Sequence, residues 1–122
     1  MPDVCPMTRS LLFIVREDPR TSPRPAEALR IVAGLCAVQQ ISVRLVLTGA
    51  AVRLLSHETG ELLEADQVER CRALLVDAGY VVLVRDGSLQ EHEIGVPAVP
   101  CREVSNEALA RISAESDSVA LF

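Results

Sequence analysis

Lysine and tryptophan are both absent from this chain. All 12 basic residues are arginines, so a Schiff-base or general-base lysine and the lysine of a phosphate-binding P-loop are excluded. Aromatic residues make up only 2%, too few to offer stacking platforms for bases, and the net charge of −5 gives no basic footprint. Neither nucleic acid nor an anionic membrane is an expected partner. No apolar run approaches the length of a membrane span. Residues 1–9 carry Pro2, Asp3 and Pro6, and the run Leu11–Val15 is too short for a signal core, so a cytoplasmic protein is expected. In that compartment thiols stay reduced. The four cysteines, Cys5, Cys36, Cys71 and Cys101, contain no CxxC pair. A disulfide framework or zinc site needs closer spacing, so no metal is expected, nor any cofactor.

What the chain has in quantity is Ala, Val and Leu, within a hydrophobic fraction of 49% over 122 residues. That composition fills one core of small and branched aliphatics. Residues 1–9 are expected to form a mobile N-terminus and residues 10–122 one domain. Ser10–Arg16 and Ser42–Thr48 are short continuous apolar runs, the pattern of strands buried on both faces. Between them Leu29, Val32, Ala33 and Cys36 fall at i, i+3, i+4 and i+7, one face of a helix, with Pro23 and Pro25 suited to its first turn. Ala50–Leu55 reads as a short helix. Asp66 and Glu69 have the form of a capping box opening a helix that Gly79 ends. Tyr80–Arg85 reads as a third strand, Ser88–Val99 as a helical turn and loop, and Cys101–Val104 as a short edge strand limited by Pro97 and Pro100. Ser105 can cap a last helix before a terminal strand, Ser118–Phe122. Alternation of this kind predicts an α/β fold, Rossmann-like or flavodoxin-like, in three layers. Its mostly parallel five-stranded sheet carries helices on both faces.

Ligands of open α/β sheets sit at the carboxyl ends of the strands. The first three strands end at Arg16-Glu17-Asp18, Thr48-Gly49-Ala50 and Arg85-Asp86-Gly87. Arg16, Thr48, Gly49, Arg85, Asp86 and Gly87 are therefore the candidate binding residues, with Arg20 and Arg24 adding charge to the same rim. No GxGxxG or P-loop pattern supports a nucleotide. His57 and His92 have no nucleophile at a recognisable spacing and read as surface residues. Cys36 and Cys71 lie on apolar helix faces, where burial makes thiols inert. Cys101, beside Arg102 and near a loop, is the candidate catalytic thiol.

Three segments carry a resemblance to the DsrE/DsrF-like family: Leu11–Val15, the helix from Ala26, and Val43-Arg-Leu-Val-Leu-Thr-Gly-Ala. The closing Val104-Ser-Asn-Glu-Ala-Leu…Asp117-Ser-Val-Ala-Leu-Phe122 resembles the DsrF/TusC branch. The resemblance implies a flavodoxin-like fold, a homo- or hetero-oligomer (trimer or hexamer), a sulfur-relay protein partner, and passage of persulfide sulfur between proteins. Sulfur-carrying members keep a cysteine after the strand that matches Tyr80–Val84, whereas this chain has Arg85-Asp86-Gly87-Ser88 there. The expectation is a non-catalytic or regulatory subunit. The alternatives are a sulfurtransferase using Cys101 or Cys5, and a small module binding an anionic ligand through the Gly49 and Arg85 loops.

Overall fold

A computed structural model of the chain describes residues 9–38 and 40–122. The N-terminal expectation and Cys5 lie outside them. The elements run β1 (Arg9–Val15), α1 (Arg24–Leu35), β2 (Ile41–Leu47), a 3-10 helix (Gly49–Leu55), α2 (Ala65–Asp77), β3 (Val82–Arg85), α3 (Ser88–Glu91), β4 (Cys101–Val104), α4 (Asn106–Glu115) and β5 (Ser118–Leu121). The sheet order is β4-β3-β2-β1-β5, and every pairing among the described strands is parallel. The chain steps outward from β1 to β4 and then crosses to the opposite edge to add β5.

That excursion fixes the two faces. Residues Phe13, Val15, Val43, Leu45, Leu47, Val82 and Val84 point to the side of α1, α2 and the 3-10 helix, where the large core lies. Their neighbours Leu12, Val46, Leu83 and Val104 point the other way, onto α4 alone, in a much smaller cluster. Burying one such leucine is worth about 1.5–3 kcal/mol. Both β1 and β2 are buried on two faces, which is why their sequences read as unbroken apolar runs.

Local signals act as the chemistry requires, with two corrections. Pro25 occupies the first turn of α1, Gly79 follows α2 in the left-handed region at φ +70°, and the Ser105 hydroxyl accepts from the Ala108 N–H. The capping box at Asp66 and Glu69 does not form. α2 starts at Ala65, its N-cap Glu64 is left-handed at φ 60°, and the Glu69 carboxylate instead accepts the Thr59 hydroxyl. β3 is also shorter than its apolar run. Tyr80 precedes it, and its hydroxyl donates to the Val43 carbonyl at 2.8 Å, a role that burial enforces by pushing the phenol's pKa up. No helix among the described residues is long and apolar enough to cross a membrane.

Candidate functional site

The carboxyl ends of the central strands are tied together rather than open. Thr48 donates from its backbone N–H to the Val15 carbonyl at 3.0 Å, and its hydroxyl reaches the same oxygen at 3.3 Å, joining β1 to β2. Gly49, left-handed at φ +55°, donates its N–H to the Ser88 hydroxyl at 3.2 Å, joining β2 to β3. Ser88 is only 2% exposed. Gly87, at φ +85°, makes the turn that drops Ser88 inward, and its N–H donates to Glu103 at 3.2 Å. Ser88 is thus the polar pin of the strand ends. Its Ala variant should lose about 1–2 kcal/mol of stability, the cost of stranding a half-buried N–H, read from chemical denaturation. An unchanged midpoint would show that water replaces the hydroxyl.

The other sequence-derived residues do not converge on this pin. Arg16 is exposed, and its backbone N–H is taken by the Phe122 carbonyl at 2.8 Å. Arg85 is exposed and pairs in register with Val104, on the α4 side of the sheet. Asp86 is exposed, with its N–H donated to the Val104 carbonyl. The rim arginines are partly neutralised. Arg20 chelates Asp18, which holds that carboxyl's pKa down, while Arg24 lies 3.7 Å from Glu17 and 5.4 Å over the Phe122 ring.

Cys101 opens β4 and pairs in register with Val82, three residues before Arg85. That places it about 10 Å along the sheet from the strand ends. Burial and then the nearby Glu103 carboxylate push its thiol pKa up. Cys71 is buried on α2 with its pKa raised chiefly by burial, and Cys36 is half-buried, its Sγ directed at the Ala33 carbonyl. No group of three or more His, Cys, Asp or Glu side chains among the described residues is placed to hold a metal ion.

Sequence reasoning also missed a concave stretch of the surface, one of several. Two adjoining hollows, of about 260 and 330 Å³, lie beside the 3-10 helix and share Arg53, Ser56 and Glu58 in their walls. The first is closed by Arg20 and the Gly60–Leu62 turn, the second by Glu91, His92 and Glu93 after α3. Their wall is firmly held. Arg72 of α2 donates to the Leu54 carbonyl at 3.0 Å and the Ser56 carbonyl at 2.6 Å, and the Leu63 N–H reaches the Pro19 carbonyl at 2.9 Å. The available signal was a single arginine inside the otherwise apolar run Gly-Ala-Ala-Val-Arg-Leu-Leu.

The crystal structure of the ychN protein from E. coli superposes on this chain with a TM-score of 0.76. The match covers 94% of this chain and 100% of that one, at 17% sequence identity. Likeness at that identity speaks to the fold. The five-stranded parallel sheet with its helices is a flavodoxin-like α/β fold, shared with that protein. No protein-family model matches the chain, and no curated protein does by sequence.

Proposed function

We propose that this chain is a DsrE/DsrF-like subunit of the TusC-like branch, non-catalytic or regulatory, working inside an oligomer that handles persulfide sulfur. The observation that carries the reading is the loop after β3, which presents Arg85, Asp86, Gly87 and Ser88 and no thiol. Holding a persulfide needs a thiolate, and neither a guanidinium nor a hydroxyl replaces it. Ser88 instead spends its hydroxyl on the Gly49 N–H. The three described thiols lie away from that loop, and two of them have raised pKa values. An oligomer is favoured by the thinly covered side of the sheet. There α4 has no fully buried residue, and Val119 and Leu121 on the edge strand β5 are 44% and 50% exposed.

The test is mass spectrometry of the intact protein after incubation with a small persulfide, each cysteine then being mapped by alkylation. In loading, the donor's outer sulfur would pass to a protein thiolate and the donor would leave as a thiol. The expected result is no cysteine carrying a reductant-labile sulfur, with Cys71 and Cys101 alkylating more slowly than free cysteine and faster as pH rises. A sulfur acquired at Cys101 or Cys5 would overturn the reading and make the chain a carrier through an unusual position. Light scattering on the same sample should give a mass above that of one chain; a strict monomer at micromolar concentration would remove the assembly.

A further inference from the structure

Arg53 makes no direct ion pair among the described residues, although its charge helps to hold the Asp18 carboxyl's pKa down. It extends from a 3-10 helix anchored by the fully buried Ala51, Val52, Leu54 and Leu55, so its backbone has little freedom to move. Its Nε is shielded from water and has no hydrogen-bond partner among the described residues. The ion pairs among the described residues are those of Arg20, Arg24 and Arg30. A guanidinium stripped of part of its hydration gains from an acceptor that reaches the part of it still exposed. Arg53 lines both hollows, and the matching partner for a guanidinium is a flat, two-oxygen anion.

The charge around Arg53 narrows the choice. Glu58, Glu61, Glu91 and Glu93 are all exposed on the rim of the two hollows, while Arg20 is cancelled by Asp18. One guanidinium is therefore ringed by four carboxylates, a field that repels multiply charged anions such as phosphates and nucleotides. The same field attracts an ammonium group. Glu93 is held left-handed at φ 56°, a conformation a non-glycine residue adopts only when its surroundings impose it. The hollows are small, at the low end for ligand sites, and their wall is pinned by Arg72 before any ligand arrives.

We propose that Arg53 anchors a binding site for a small zwitterion of the amino-acid type. The ligand's carboxylate is gripped by the Arg53 fork, and its ammonium faces the Glu58, Glu91 and Glu93 rim. The site goes beyond a part in sulfur handling and stands independently of it.

Titration of the isotope-labelled full chain, followed by amide chemical shifts, tests this with glycine, L-alanine, acetate, ethylamine and inorganic phosphate as separate probes. Glycine and L-alanine should move the amides around residues 53–60 and 91–95 and saturate at concentrations roughly tenfold below acetate or ethylamine, since each charge contributes on the order of one tenfold step. Phosphate should leave those amides in place. Arg53→Gln should abolish saturation, and Arg53→Lys, which keeps the charge but not the fork, should weaken it by about tenfold or less. Glu58→Gln should weaken the amino acids and leave acetate unaffected or stronger. Phosphate saturating as well as glycine, no probe moving these amides, or Arg53→Gln and Arg53→Lys both binding as the parent does, would each overturn the assignment.

Discussion

Truncating Leu45 to alanine should cost about 3–5 kcal/mol of folding free energy, the upper part of the range for buried leucines. β2 is the middle strand of the sheet, and Leu45 is fully buried there on the side of α1 and α2. Helices and strands surround that position, so little can move in to fill the space left. Leu12 is just as inaccessible, yet it lies in the small cluster beneath α4. That helix has no fully buried residue and can settle toward the sheet, so Leu12→Ala should cost only about 2–3 kcal/mol. Urea unfolding of the pair measures the difference. Equal losses would mean that α4 is held as rigidly as the two-helix side.

Arg72→Met should destabilise the protein by about 3 kcal/mol, while retaining the apolar stem of the side chain. Its guanidinium serves two carbonyls at once, Leu54 at 3.0 Å and Ser56 at 2.6 Å, at the carboxyl end of the 3-10 helix. Charge-assisted bonds of this kind contribute about 1.5–3 kcal/mol each, and two formed by one group add incompletely. Burial pulls the Arg72 pKa down, so the charge is maintained at a desolvation cost that the two carbonyls and the nearby Glu69 carboxylate offset. Thermal or denaturant unfolding gives the stability. The amide of Ser56 should also shift, because the strut behind both hollows is gone. A variant as stable as the parent would show that the carbonyls are satisfied by water.

Much of the architecture was legible because its determinants are local. β1 and β2 announce themselves as runs buried on both faces, and the Ser105 cap and Gly79 stop lie at fixed offsets from the helices they bound. The capping box failed because Glu69 found a better partner in Thr59, ten residues away. Tyr80 lies outside the strand because its backbone N–H closes the end of α2 on the Leu75 carbonyl. The site was harder to read for the same reason on a larger scale. Ser88 matters through Gly49, 39 residues distant, and Arg72 through carbonyls 16 and 18 residues before it. No periodicity encodes such pairings. Arg53 differs in making no direct ion pair among the described residues, and a sequence lists side chains without saying which are left unpaired.

The crossing from β4 to β5 also has a kinetic consequence. Each step from β1 through β4 closes a modest loop with a neighbour, whereas β5 must find β1, the strand formed first in the chain. The Asp117 carboxylate receives the Ser10 N–H across 107 residues, beside the parallel register Leu11 to Ser118. Closure entropy grows with the length of chain enclosed, and folding slows as contacts become less local. The longest search in folding is therefore the one made by the last four-residue strand, which must pair with the first strand of the chain.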